Sequence, residues 1–169
     1  MNVNVNVNLN LNDCDNENEC DCNNNSQVQE KLQNKRISFE EIYMKFAFNL
    51  AKRSTCKRLN VGAVVVSDDY SRVYGIGYNG NAQGMPNTCD SDEPGNCGCL
   101  HAEDNALLKT NGGKEVPKIM FITHTPCAYC AKRIINKGGI TKVYFAEKYR
   151  SENGIKILEN ANIEMIQLH

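Results

Sequence analysis

A chain that carries His101-Ala102-Glu103 and, about two dozen residues later, Pro126-Cys127-Ala128-Tyr129-Cys130 must fold so that two distant segments meet. One imidazole and two cysteines spaced C-x-x-C supply three nitrogen and sulfur ligands. A catalytic zinc uses that set when its fourth tetrahedral position stays open to water. The pattern implies a mononuclear zinc hydrolase with His101, Cys127 and Cys130 as ligands. A metal and a helix N-terminus both lower a thiol's pKa, so two thiolates would hold the ion and offset its charge while water is acidified near neutral pH. Glu103 is the candidate catalytic residue. It lies roughly 200° from His101 around an ideal helix, off the ligand direction, yet at a helix start both side chains can line one pocket. A carboxylate there can take a proton from water, pass it to a substrate ring nitrogen and later to the leaving group. The plainer alternative is a structural zinc knob closed by a fourth ligand such as Cys99, with Glu103 merely solvated.

Composition narrows the setting. The 169 residues allow one domain of ordinary size, expected over 37–169, with 1–36 outside its core. A net charge of -1 gives no broad phosphate-binding surface, which counts against a nucleic-acid partner. Nine cysteines invite a disulfide reading, but the odd count, the C-x-x-C and the lack of a secretion signal favour metal and thiols in a reducing, cytoplasmic compartment. No apolar run approaches the roughly 20 residues that span a bilayer, so no membrane partner is expected.

Residues 1–12 alternate Asn with Val or Leu, and 13–25 continue as Asn, Asp and Glu with Cys14, Cys20 and Cys22. So little apolar surface does not offset ordering entropy, and disorder is expected; an edge strand or aggregating stretch is the alternative. After the tail, periodicity predicts helices over Ser38 to about Arg53, Leu100–Lys109, Cys127–Lys137 and Glu152–Asn160. Strands are predicted over Val61–Val66, up to Tyr78, and over Lys118–His124, Thr141–Ala146 and Ile163–Leu168. The order α-β-β-α-β-α-β-α-β gives an α/β fold, a mixed five-stranded sheet covered by helices, with the zinc clamped between two helix starts.

Four stretches of residues 38–168 carry a resemblance: Ser54-Thr55-Cys56 leading to Val61-Gly62-Ala63-Val64; Gly77-Tyr78-Asn79-Gly80; His101-Ala102-Glu103-Asp104-Asn105-Ala106; and Thr125-Pro126-Cys127-Ala128-Tyr129-Cys130-Ala131-Lys132. H-x-E followed by P-C-x-x-C is the documented signature of zinc nucleobase deaminases. The chain resembles the cytidine and deoxycytidylate deaminase family, most closely its deoxycytidylate (dCMP) branch. The resemblance implies a three-layer cytidine-deaminase-like fold and zinc on His101, Cys127 and Cys130. It implies Glu103 as proton shuttle, and hydrolysis of dCMP to dUMP and ammonia that supplies pyrimidine nucleotide for dTTP synthesis. It places the backbone around Ala102 and Thr125 on the pyrimidine edge, Asn79 on sugar or phosphate, and Tyr149 against the base. An Asn that only forms a turn and a Tyr at a core edge are the alternatives. It further implies control by dCTP and dTTP in a homohexamer, although the Asn79–Cys99 loop is shorter than in many relatives and carries an unusual Asp-Ser-Asp-Glu run.

Cys56, Cys89 and Cys97 fall where some members place a structural zinc, and Cys99 would complete a four-cysteine site. The alternative is a buried Cys56 with loop thiols around it. For a monophosphate, Lys148, Arg150 and Arg53 are the candidate cations. Other substrates within the same chemistry are dCTP, free (deoxy)cytidine or a nucleic-acid base, and a catalytically silent zinc-binding nucleotide sensor is the reading from outside enzymes.

Overall fold

The computed structural model describes residues 36–93 and 96–169; the expected disordered tail, with Cys14, Cys20 and Cys22, falls almost wholly outside them. Within the described residues the elements are α1 (Phe39–Ala51), β1 (Gly62–Ser67), β2 (Val73–Tyr78), α2 (Ala102–Lys109), β3 (Lys118–His124), α3 (Ala128–Lys137), β4 (Ile140–Glu147), α4 (Asn153–Asn160) and β5 (Glu164–Gln167). The sheet order is β2-β1-β3-β4-β5. β1 pairs antiparallel with β2 and β3, and β3-β4-β5 run parallel, so the sheet is mixed as expected.

Period two sorts the sheet's side chains onto two faces. Val64, Val66, Ile119, Phe121 and Tyr144 meet Met44, Ala47 and Leu50 of α1. Ala63, Val65, Met120, Ile122 and Val143 meet Ala102, Ala106 and Leu107 of α2, Ala131 and Ile134 of α3 and Leu158 of α4. Three layers result, with one helix on one face and three on the other. Because β1 is covered on both faces, all six of its residues are buried, which explains its unbroken apolar run.

The helix starts differ from expectation in an instructive way. Ser38 caps α1, accepting from the Glu41 N–H at 3.2 Å, and His101 and Cys127 cap α2 and α3 with extended backbones. Neither metal-ligand candidate is therefore in helical geometry. The 200° separation expected between His101 and Glu103 does not apply, because His101 is aimed by its cap conformation (φ -75°, ψ 154°) rather than by helical twist. Glycine does matter on β2. A Cβ on Gly77 would run into the Ala102 carbonyl, and one on Gly75 into the Ala106 carbonyl, so α2 lies directly on the strand.

The β1–β2 turn is held by Asp69. Its carboxylate accepts from the Ser67 hydroxyl at 2.6 Å and from the Ser71 N–H and hydroxyl at 3.0 and 2.8 Å. Tyr70 beside it sits at φ 61°, an uncommon conformation for a bulky residue, with its hydroxyl donating to Glu40 at 2.6 Å. The Ser67 hydroxyl first, then the Ser71 donors, hold the Asp69 carboxyl down at about 2. A depressed carboxylate adds stability above its unfolded value and loses it as pH falls through the folded one. Asp69→Asn should therefore lower the thermal midpoint at pH 6, and the gap from the parent should close as pH is lowered from about 4 toward 2. A gap that stays constant over that range would show that the turn does not depend on the charge.

Candidate active site

The fold brings the two motif segments together at the ends of α2 and α3. His101 Nδ1 lies 3.2 Å from Cys130 Sγ and 3.6 Å from Cys127 Sγ, and the three potential ligand atoms all lie within 4.8 Å of one another. Tetrahedral zinc, with bonds of about 2.3 Å to sulfur and about 2.0–2.1 Å to nitrogen, spaces nitrogen and sulfur ligands about 3.6 Å apart. The observed edges fit such an ion. The three groups also share protons unequally. The hydrogen bond from Cys130 holds the Cys127 thiol far down, at about 3, while the bond to Cys127 pushes His101 up to about 9. The hydrogen bond between the two thiols, together with burial, raises the Cys130 thiol. A divalent cation would displace these protons, since it binds thiolates and neutral imidazole.

Glu103, in the first turn of α2, is 5% exposed, and burial pushes its carboxyl up to about 7. Its charge would be favoured by a cation beside it. Ala102 and Thr125 are buried against it in the same wall, and all line one cavity of about 850 Å³ together with His101, Cys127, Asn79 and Tyr149.

Each of the other candidates has a definite place. Asn79 lines the cavity, but its carbonyl accepts from the Val61 N–H at 2.8 Å and its amide donates to the Leu59 carbonyl at 2.7 Å, so it also builds the wall. The Tyr149 N–H donates to Thr125 Oγ1 at 2.8 Å, and the Arg150 guanidinium lies 5.4 Å over its ring. Lys148 and Arg150 line the cavity as expected. Arg53, expected with them, instead lies 6.0 Å over the Tyr78 ring. Arg58 joins the lining, with its guanidinium donating to the Glu93 carbonyl at 2.6 Å.

Cys56, Cys89, Cys97 and Cys99 form a second cluster. Cys56 Sγ is 3.9 Å from Cys97 Sγ and from Cys89 Sγ, and Cys89 is 3.7 Å from Cys99. Four thiolates around tetrahedral zinc stand about 3.8 Å apart, so these residues also fit an ion. Burial raises the Cys56 thiol, but N–H groups of Arg58 and Leu59 and the neighbouring thiols outweigh it and bring it to about 7.

Three features escaped the sequence reading. His124 and Glu147, across the β3–β4 pair, both line the cavity with His124 Nε2 3.0 Å from Glu147 Oε2. Asp104 pairs with Arg133, tying α2 to α3. The signal for that tie was present. Asp104 is three residues after His101 and Arg133 three after Cys130, so the ion pair is the next rung above the ligand rung. Asn105 also donates to the Tyr78 carbonyl at 2.9 Å, pinning α2 to the end of β2.

This constellation on a three-layer α/β sheet is that of the cytidine and deoxycytidylate deaminases. Residues 37–147 match the family described as "Cytidine and deoxycytidylate deaminase zinc-binding region", and the chain belongs to that family. Over 151 residues it is 35% identical to ComE operon protein 2 of Bacillus subtilis, covering 79% of this chain and 73% of that protein. Over 144 residues it is 34% identical to the deoxycytidylate deaminase of Saccharomyces cerevisiae, covering 78% of this chain but 45% of the yeast protein's length. The solved structure of dCMP deaminase from the cyanophage S-TIM5 in complex with dCMP and dUMP matches with a TM-score of 0.68 at 34% identity, over 76% of this chain and 96% of that one. Among the described residues no helix is long and apolar enough to cross a membrane.

Arg133→Ala would leave the buried Asp104 carboxylate without its partner and should cost about 1–3 kcal/mol of stability. Replacing both partners, Asp104→Leu with Arg133→Leu, should recover most of it, because an apolar pair of similar volume carries no desolvation penalty. Thermal or urea unfolding of the three proteins tests this, and a double variant as weak as the single one would exclude the pair as the source.

Proposed function

We propose that the protein is a zinc-dependent hydrolase that converts dCMP to dUMP with release of ammonia, and so supplies pyrimidine nucleotide for dTTP synthesis. The observation that carries the reading is the convergence of His101 Nδ1 and the Cys127 and Cys130 thiols, with His101, Cys127 and the buried Glu103 lining one cavity. The substrate follows from the relatives named deoxycytidylate deaminase and from the cyanophage dCMP deaminase whose structure contains dCMP and dUMP.

In this reading His101, Cys127 and Cys130 hold zinc. When bound there, zinc supplies the Lewis acidity that makes water a nucleophile near neutral pH. Water adds to carbon 4 of the cytosine ring. The Glu103 carboxylate takes the proton lost by that water and gives it to ring nitrogen 3, then moves a second proton to the 4-amino nitrogen, which leaves as ammonia. The backbone at Ala102 and Thr125 reads the pyrimidine edge, Tyr149 packs on the base, and Asn79 faces the sugar or phosphate. Lys148 and Arg150 at the rim take the phosphate. Cys56, Cys89, Cys97 and Cys99 hold a second, structural zinc that pins the Asn79–Cys99 loop, and the assembly is a homohexamer whose rate responds to dCTP and dTTP.

The direct test is ammonia release from dCMP, dCTP, deoxycytidine, cytidine and a single-stranded oligonucleotide side by side. dCMP should give the highest kcat/KM, and preference for any of the others would replace the substrate. Glu103→Gln should bind zinc and fold like the parent yet lose about 10²- to 10⁴-fold in kcat; an active variant would remove Glu103 from the proton path. Elemental analysis should find two zinc ions per chain in the parent and one in Cys89→Ser, and one in both would dispose of the second site. A dTTP titration that leaves the rate flat would remove the effector response.

A further inference from the structure

The established motif does not use His124 and Glu147, yet both line the cavity. The two residues are register partners at the carboxyl ends of the parallel strands β3 and β4, the side of an open α/β sheet where ligands bind. Behind them runs a chain of hydrogen bonds. The Gly62 N–H donates to Thr123 Oγ1 at 3.2 Å, and Thr123 is fully buried. A buried hydroxyl needs an acceptor for its own proton, and the one in reach is His124 Nδ1 at 3.1 Å. Nδ1 accepts, so Nε2 carries the ring proton and donates to Glu147 Oε2 at 3.0 Å. His124 is 13% exposed while Glu147 is 61% exposed, so the imidazole is the anchored partner and the carboxylate is the part presented to the cavity. The backbone is fixed as well, since the Thr125 N–H donates to the Glu147 carbonyl at 2.9 Å. Among the described residues the second carboxylate oxygen of Glu147 has no protein donor.

An aimed carboxylate can only accept, so its ligand partner must be a donor. On dCMP the donors are the 4-amino group, which leaves at the Glu103 end, and the 3′-hydroxyl; the ring nitrogen, the ring carbonyl and the phosphate dianion are acceptors. Chain order agrees. Glu147 adjoins Lys148, with Tyr149 and Arg150 following, so an acceptor for the sugar sits next to the residues read above as facing base and phosphate. We infer that Glu147 is a specificity-determining residue that accepts a hydrogen bond from the 3′-hydroxyl of the nucleotide, and that His124 is its positioning residue. This inference rests on the dCMP reading.

The test compares steady-state deamination of dCMP and of 2′,3′-dideoxycytidine 5′-monophosphate by the purified full-length parent, Glu147→Ala and His124→Leu, with thermal melts to confirm folding. A hydrogen bond to a charged group corresponds to about ten- to hundredfold in affinity. On dCMP, Glu147→Ala should lose about that much in kcat/KM, mainly through KM. On the dideoxy analogue the parent should already show the loss, and the variant should add almost nothing to it. His124→Leu should follow the same pattern more weakly, and Glu147→Gln, which keeps a carbonyl acceptor, should fall between parent and Glu147→Ala. Equal losses on both substrates, or no loss on dCMP, would overturn the inference while leaving dCMP as substrate. A parent that turns over neither nucleotide would instead overturn the dCMP reading, and this inference with it.

Discussion

The site depends on one close contact, the seating of α2 directly on β2. Gly75 and Gly77 present no side chain there, so the backbone carbonyls of Ala102 and Ala106 come down onto the strand. With α2 at that depth, its cap residue His101 is level with Cys127, the cap of α3, and both ligand segments arrive as helix starts. The consequence is electrostatic as much as geometric. The N-terminus of α3 presents its N–H groups to Cys127, an environment that favours thiolate there and hence a cation beside it. The Cys130 N–H already approaches Cys127 Sγ at 3.5 Å.

Rigidity behind this contact comes from the doubly covered centre of the sheet. Val64, Val65, Val66, Met120, Phe121 and Ile122 have no solvent exposure, and burying each such side chain contributes about 1.5–3 kcal/mol against unfolding. β1 and β3 therefore act as a fixed plate, with the Cys127–Cys130 segment following β3 and the His101–Glu103 segment packed over the plate on α2. The Asp104–Arg133 tie fixes the two ligand helices to one another, and Asn105 fixes α2 to Tyr78. Three independent restraints thus converge on the position of His101 and Glu103.

What the residues alone revealed follows how local each signal is. Apolar periodicity and capping chemistry are local, so the order of elements, the mixed sheet and the helix that begins at Ser38 could be read directly. The convergence of His101 with Cys127 and Cys130 was legible for another reason: metal-ligand chemistry demands a meeting point, and that demand carries long-range information. The four-cysteine cluster was legible through the family resemblance, which places a structural zinc at Cys56, Cys89 and Cys97 with Cys99 to complete it. Arg53 lies over the Tyr78 ring rather than in the cavity lining, because a cation's charge in a sequence says nothing about its direction. His124 and Glu147 were invisible because their pairing arises only from the β3–β4 register, which no periodicity encodes. Glu103 does lie outside the ligand set and shares the cavity with His101 as read, but the reason is the cap backbone of His101 rather than helical twist.

The cavity is polarised, and the polarity bears on how a nucleotide would enter. Its inner wall holds Cys127 and Glu103, with Cys130 behind them, acidic groups that only a cation makes hospitable, while the exposed Lys148, Arg150 and Arg58 line its rim. A phosphate dianion is attracted to the rim and repelled by the thiolate end, and in a cavity walled by low-dielectric protein that difference is felt more strongly than in water. The neutral base is then the only part that can reach the ligands. Glu147 lies next to Lys148 in the chain, and the neutral His124 imidazole behind it fixes the direction of its carboxylate through one donated N–H without changing its charge. Beside a cationic rim, a carboxylate whose charge is offset by Lys148 and Arg150 and whose direction is fixed by His124 is a local acceptor rather than a repulsive field, and this is the environment in which a sugar hydroxyl can be recognised without turning the phosphate away.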